Sequence, residues 1–188
     1  MNSFQEKQNK AGSKTSYGMN TSHNKGFSLI ELLVVLAIIG LLSSVIFAAV
    51  NQARKGARDT QRISSLRELQ TGLEFYYNEH SQYPEGDGLG AGGWDTPGNG
   101  TFLTALVDEN FMQAHVRDPL MDDDTGNLRY NRYDAGDFGC PVERGAFYVM
   151  GVADMENSTG AHEYSPGWSC SGRDWQDEME FVVGKYEN

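Results

Sequence analysis

One carboxylate, Glu31, lies near the start of an otherwise uncharged apolar run that extends from Phe27 to Val50. A charged side chain inside a hydrocarbon layer costs roughly 2.5 to 3.5 kcal/mol on insertion scales, so Glu31 requires a partner or a function. Cleavage of the chain after Gly26 would supply a partner, because it would expose an α-amino group on Phe27. Such a group has an unperturbed pKa of about 7.7 to 8.0 and is largely cationic near neutral pH. The amine of one subunit could then neutralise the Glu31 carboxylate of an adjacent subunit.

The other residue types that perform chemistry show no catalytic arrangement in this sequence. The four histidines have neither metal-ligand spacing nor an HExxH motif. The run 167–171 approaches the nucleophile-elbow pattern, but Ser171 stands where the pattern requires glycine. The Gly-rich stretch 85–94 is not followed by the Lys-Ser or Lys-Thr of a phosphate-binding loop. We therefore predict that the chain is not an enzyme.

The segment that begins at Lys25 resembles the processing site of type IV prepilins. It reads Lys-Gly, then Phe-Ser-Leu-Ile-Glu, then Leu-Leu-Val-Val-Leu-Ala-Ile-Ile-Gly-Leu-Leu. The resemblance extends to the pseudopilins of type II secretion and covers residues 25–84. It implies that prepilin peptidase cuts after the glycine and that the exposed phenylalanine is methylated. Gly26 is then the cleavage residue, Phe27 the new N-terminus and Glu31 the carboxylate used in assembly.

Two other interpretations of the apolar run are open. A Sec signal peptide usually has an apolar core of about 7 to 15 residues and a small-x-small cleavage site. This run covers 27–50 and places Ile46 or Phe47 where the outer small residue would lie. An ordinary single-pass anchor needs about 20 apolar residues and fits the length, but it gives no reason for Glu31. That anchor interpretation predicts an uncut chain carrying an exported binding or enzymatic domain.

Two signals in the chain disagree about its orientation in the membrane. The basic residues at 54–62 outnumber Lys14 and Lys25 before the run, so the positive-inside rule alone puts the leader outside. We give more weight to the processing motif and to the cysteines, and predict a cytoplasmic leader. The chain is then a single-pass protein of the cytoplasmic membrane before assembly and part of an extracytoplasmic or cell-surface filament afterwards.

The resemblance implies an α+β fold of the pilin type, with a long N-terminal helix and a small antiparallel β-sheet head. We predict an unstructured leader at 1–26, a membrane and filament-core helix at 27–50, an upper stem helix at 51–83 and a globular head at 84–188. Apolar residues recur along the stem at helical spacings; they are Ile63, Leu66, Leu69, Leu73 and Tyr76 or Tyr77. Such a helix is too long for one small domain to bury, so its lower half must pack against lipid or against copies of itself.

The stem also carries basic residues that have two alternative explanations. They are Arg54, Lys55, Arg58, Arg62 and Arg67. They form either a solvated face or a surface that contacts the acidic heads of neighbouring subunits. From Glu68 onward there are 23 acidic residues and six basic ones, a net charge of about −17. This acidity makes direct contact with nucleic acid unfavourable.

The sequence of the predicted head contains patterns typical of turns, of a short helix and of strands. Glycines at 85–94 predict an irregular surface loop. The region 101–114 predicts a short helix capped by Thr101. Partial alternation of β-branched and aromatic residues predicts the strands of a small antiparallel sheet; they lie at 128–133, 146–153 and 179–183.

Four aspartates precede the first predicted strand. The sequence around Asp118-Pro119 resembles the loop before the sheet of major pseudopilins, where an Asp-Pro precedes a calcium-binding turn. The resemblance implies calcium, with Asp118, Asp122 and Asp124 as side-chain ligands, and carboxylate oxygens suit this ion. The spacing is not that of an EF-hand, and consecutive aspartates in turns are commonly only solvated. We therefore predict that no cofactor is required and keep calcium as an alternative.

Cys140 and Cys170 are the only cysteines and are flanked by turn residues. An exported chain permits a disulfide between them, and two free thiols are the alternative. A disulfide that closes a loop of about 30 residues adds roughly 3 to 4 kcal/mol to the free energy of unfolding in the chain-entropy model. Many pilins also have a C-terminal disulfide loop.

The resemblance implies that the chain is a structural subunit of a type IV pilus-like or type II secretion filament. Subunit contacts that do not close into a ring produce an open helical fibre. The resemblance implies several partners: prepilin peptidase, copies of the chain and other pilins, a membrane platform protein and an assembly ATPase.

Overall fold

The computed structural model of this chain describes residues 26–120 and 127–188. These residues form two α-helices, α1 (Leu29–His80) and α2 (Thr104–Asp108), and five strands. The strands are β1 (Leu128–Tyr133), β2 (Phe147–Val152), β3 (Ser169–Cys170), β4 (Arg173–Asp174) and β5 (Phe181–Tyr186). The predicted α+β fold is therefore confirmed. The predicted leader, apart from Gly26, lies outside the described residues.

The chain divides between Ser43 and Ser44 into two units, and α1 contributes residues to both. In the first unit, the described residues 26–42 are all exposed. Among the helices that the structure describes, α1 is the one that is long and apolar enough to cross a membrane. These properties fit a membrane-anchored precursor.

The second unit contains a three-stranded antiparallel sheet in the order β1-β2-β5. The central strand, β2, is buried along its whole length. Its side chains alternate between two layers, because successive residues of a strand point to opposite faces of the sheet. Tyr148 and Met150 pack in a cluster that includes leucines of α1, whereas Phe147 and Val149 pack in a second cluster around Trp175. Both faces of the sheet are therefore covered.

The part of α1 in the second unit packs through the apolar residues that its spacing predicts. Leu66, Leu69 and Leu73 are buried in the first cluster. Ile63, Tyr76 and Tyr77 are partly buried against the same cluster. α1 ends at His80, slightly before the predicted end, because Ser81 has a left-handed backbone conformation with a φ of 59°.

The short helix predicted at 101–114 is wrong in its extent and in its cap. α2 has five residues, and its N-cap is Leu103, which has a φ of 45° and makes no side-chain capping hydrogen bond. The Leu103 N–H instead donates to a carboxylate oxygen of Asp95 at 3.0 Å. The chain turns at Asn110, whose φ is 63°, and this turn prevents α2 from continuing.

The Gly-rich loop is irregular apart from a 3₁₀ turn at Ala91–Gly93, and its described residues before Trp94 are exposed or half-buried, as predicted for a surface loop. Asp95, directly after it, pairs its backbone with Tyr130 of β1 at N–H to oxygen distances of 2.9 and 3.0 Å. Trp94 packs in the second cluster. The loop therefore leads into a segment that covers the free edge of β1.

Asp95 is a carboxylate that is only 1% exposed, and its Oδ1 accepts no hydrogen bond from the described residues. Burial raises the pKa of Asp95 to about 6, and the hydrogen bond from the Leu103 N–H opposes this rise only in part. Since an unfolded aspartate has a pKa of about 3.9, the folded protein binds the additional proton between about pH 4 and pH 6. The contribution of Asp95 to stability is therefore most favourable at acidic pH and is lost as pH rises through about 6.

We expect Asp95→Asn to remove this pH dependence. Between about pH 4.5 and about pH 7.5, the free energy of unfolding of the variant should rise relative to wild type by roughly 2 kcal/mol. The amide can also change the free energy of unfolding by an amount that does not depend on pH. That amount is the same at both pH values, so it does not contribute to the predicted difference. Denaturant unfolding of the full-length chain in detergent, followed by tryptophan fluorescence, measures the difference. Parallel pH profiles for the two proteins would contradict this account.

Candidate processing and assembly site

The bond predicted to be cut lies between Gly26 and Phe27, immediately before the first turn of α1. Residues 26–28 have no regular secondary structure, and Gly26 is exposed. The Phe27 side chain is 86% exposed. A protease could therefore reach this bond without unfolding the helix.

Ser28 and Glu31 together cap the N-terminus of α1. The Ile30 N–H donates to Ser28 Oγ at 3.3 Å, and the Ser28 N–H donates to Glu31 Oε2 at 2.9 Å. This reciprocal pattern is a variant of the capping box in which the serine oxygen accepts the N–H of the second helical residue, and it satisfies N–H groups that have no partner within the helix. The cap was not predicted, although the Ser-x-x-Glu spacing is its signature. Glu31 thus has a partner within its own chain, and its pairing with the Phe27 amine of another subunit stays a prediction.

α1 exposes large apolar side chains from Leu29 to Val50. The most exposed of these include Leu29, Ile30, Leu33, Leu41, Val45 and Phe47. Soluble monomers rarely expose a continuous apolar surface of this length, so lipid or other proteins must cover it. The surface carries one carboxylate, Glu31, at its N-terminal end.

Two basic residues of the stem have neither of the roles predicted for them. Arg58 donates hydrogen bonds of 2.5 Å to both carboxylate oxygens of Glu156. Arg62 is 1% exposed and forms ion pairs with Asp59, Asp118 and Glu156. Their acidic partners therefore belong to the same chain. Arg54, Lys55 and Arg67 are exposed, which fits both of the predicted roles.

The burial of Arg62 was not predicted, although the spacing of the stem residues contains a signal for it. Arg62 precedes Leu66 by four residues and Leu69 by seven, so helical periodicity places it on the buried face. A buried arginine is rare unless it is paired, so this position requires acidic partners. Which acids they are depends on the fold, because Asp118 and Glu156 are distant in sequence.

The predicted calcium ligands can be located only in part. Asp122 and Asp124 lie outside the described residues. Asp118 is buried, and its carboxylate faces the Arg62 guanidinium at 2.7 and 3.0 Å. Burial alone would raise the pKa of Asp118, but hydrogen bonds from Arg62 and from the Leu120 N–H lower it below its usual value. Within residues 26–120 and 127–188, no three His, Cys, Asp or Glu side chains form a group that could hold a metal ion.

Cys140 and Cys170 form the predicted disulfide, with their Cα atoms 5.0 Å apart. The bond joins the segment before β2 to the end of β3, across 30 residues of sequence. Both cysteines belong to the second cluster, in which Trp168 and Trp175 also lie. A loop of this size stabilises the fold by roughly 3 to 4 kcal/mol in the chain-entropy model.

Comparison with protein families gives a match to the prokaryotic N-terminal methylation motif over residues 21–47. The type IV wide pilus major component PilA4 of Thermus thermophilus is 38% identical over 88 residues, which are 46% of this chain and 67% of that protein. The type II secretion system core protein G of Pectobacterium carotovorum is 29% identical over 71 residues, 38% of this chain and 46% of that protein. The type IV major pilin protein PilE1 of Neisseria gonorrhoeae is 36% identical over 67 residues, 36% of this chain and 40% of that protein.

This chain therefore spans about two thirds of the Thermus protein and less than half of the other two relatives. No solved structure gives a significant match. The matched motif contains Gly26, Phe27 and Glu31, the three residues that the sequence predicts for processing and assembly.

Proposed function

The chain belongs to the family of type IV pilins and type II secretion pseudopilins, and from this premise we propose that it is a structural subunit of an extracytoplasmic filament. Prepilin peptidase cuts it between Gly26 and Phe27 and methylates the new N-terminus. Residues 27–50 then anchor the subunit in the membrane and pack in the filament core. The work of the protein is mechanical, and it is not an enzyme.

The observation that carries this proposal is the exposed apolar surface of α1 with its one carboxylate near the cleavage site. A membrane covers such a surface before assembly, and neighbouring subunits can cover it afterwards, since both environments are apolar. Beyond its capping bond to Ser28, the carboxylate has a partner for its charge only in the second environment. There the amine that cleavage exposes on a neighbouring subunit can pair with Glu31.

Assembly requires partners that draw the subunit out of the membrane. We propose that an assembly ATPase and a membrane platform protein do this, and that successive subunits make heterologous contacts that generate a helical fibre. The acidic region from Glu68 onward faces solvent in this arrangement, and it does not bind nucleic acid directly. The proposal covers pilus and secretion filaments alike, because the relatives include proteins of both kinds.

Production of the chain together with the peptidase, platform protein and ATPase of a type IV filament system tests this function. We expect the chain in filaments sheared from the cells and visible by electron microscopy. A matched strain without the ATPase should retain the chain in its membrane fraction. Equal retention in the membrane of both strains would favour an uncut anchor with an exported domain.

A further inference from the structure

Arg62 is a buried cation that three carboxylates surround. Its Nε and Nη2 donate to the two oxygens of Asp118 at 2.7 and 3.0 Å. Its Nη1 donates to Asp59 at 2.8 Å and to Glu156 at 3.3 Å. The guanidinium therefore joins α1 to the loop before β1 and to the segment after β2.

The same carboxylates also hold the backbone of these segments. Asp59 accepts the N–H groups of Glu156 and Asn157 at 2.9 and 3.0 Å. Asp118 accepts the Leu120 N–H at 2.9 Å and the side-chain amide of Asn127 at 3.2 Å. Arg62 thus acts through its partners on the backbone of two segments at the same end of the sheet, because the start of β1 pairs with the end of β2.

A second guanidinium neutralises part of the remaining negative charge of the cluster. Arg58 holds both oxygens of Glu156 at 2.5 Å, so three carboxylates face two arginine side chains. Bidentate pairs of this kind are the stronger class of charge-assisted hydrogen bond. The cluster therefore has most of its charge neutralised by residues of the same chain.

The arrangement around Asp118 does not fit a calcium ligand. A calcium ion needs carboxylate oxygens at about 2.3 to 2.6 Å with free lone pairs directed at it. Each Asp118 oxygen already accepts one hydrogen bond from Arg62 and one from another donor. The adjoining cavity of about 180 Å³ is lined by Arg62 as well as Asp118, so an ion there would face a permanent positive charge.

We propose that the Arg62 guanidinium occupies the place of a structural divalent cation in this chain, and that Asp118 is its partner and not a calcium ligand. The fold around the Arg62 cluster is then independent of calcium. The inference does not depend on filament assembly, because every contact that supports it lies within one chain.

Thermal unfolding of the full-length chain in detergent tests this proposal, with tryptophan fluorescence as the readout. A ligand that binds the native state raises Tm by mass action, and about 5 mM calcium exceeds the dissociation constants of even weak protein sites. We expect the wild-type Tm to be the same, within about 1 °C, in calcium and in chelator. A rise of several degrees in calcium would overturn the proposal, and this measurement requires no variant to fold.

Arg62→Met provides a second test, because it keeps the aliphatic length of the side chain and removes the charge. Three buried or half-buried carboxylates then lose their shared partner, and we expect Tm to fall by on the order of 10 °C. Arg67→Met is the matched control on the exposed face of the same helix and should change Tm by no more than about 2 °C. Equal shifts for the two variants would also overturn the proposal.

Discussion

Replacing Glu31 with alanine is expected to reduce filament yield by more than about tenfold while leaving membrane insertion and cleavage largely intact. The reason is electrostatic, because the variant removes the proposed partner of the Phe27 amine in an apolar filament core. An unpaired charge there costs roughly 2.5 to 3.5 kcal/mol, and every 1.4 kcal/mol is about a factor of ten in an equilibrium. Quantification of sheared filaments against total cleaved subunit measures the effect.

A second variant separates the two roles of Glu31, the helix cap that the structure shows and the pairing with the Phe27 amine that we propose. Glutamine at this position can keep the hydrogen bond to the Ser28 N–H, since Glu and Gln both serve in a capping box. It cannot pair electrostatically with an ammonium group. We therefore expect Glu31→Gln to assemble almost as poorly as Glu31→Ala. Normal assembly of the glutamine variant would show that the carboxylate acts through helix capping and not through its charge.

Replacing Gly26 with valine is expected to slow cleavage by at least about 100-fold and to leave a membrane protein that keeps residues 1–26. A branched side chain next to the scissile bond displaces the chain in the protease, and a misplacement of about 1 Å can cost a factor of this size. The substitution should not disturb the subunit itself, because a Cβ at Gly26 meets no atom of the described residues within 4 Å, its chain neighbours aside. Gel mobility of the chain, produced with the peptidase, measures the cut fraction.

Gly18→Val is the matched control for this experiment. It introduces the same side chain within the predicted leader but eight residues before the cleavage site. We expect this variant to be cut at the wild-type rate. If Gly26→Val is cut as readily as the control, then Gly26 is not the residue at which the protease acts.

The main helix and the sheet could be predicted from the sequence because local periodicity determines them. The spacing of Leu66, Leu69 and Leu73 identifies the buried face of α1, and all three are buried. Alternating apolar residues place the strands, and the first predicted strand, 128–133, coincides with β1. The third begins two residues later than predicted and extends to Tyr186, because its pairing with β2 continues there.

Features that depend on distant contacts could not be predicted in the same way. The edge of β1 is covered by Asp95, and nothing in the Gly-rich sequence before it indicates which strand it will pair with. α2 is shortened by the backbone conformation of Asn110. The helical position of Arg62 indicates that it is buried. Its partners Asp118 and Glu156 could not be predicted, because they are 56 and 94 residues away in sequence and only the fold brings them to Arg62.

The processing site presents the opposite case, because a short contiguous segment contains all of its predicted residues. Gly26, Phe27 and Glu31 lie within six positions, and the match to the N-terminal methylation motif covers them. The structure adds the exposed segment before α1 and the Ser28–Glu31 cap. Both additions follow from local backbone geometry.

Intact mass and N-terminal sequencing of the membrane-extracted chain, produced with an active prepilin peptidase, test the central claim most directly. The account predicts a chain that begins at Phe27 and carries one additional methyl group on its α-amine. A chain that still begins at Met1, while a known prepilin in the same cells is cut, would contradict it.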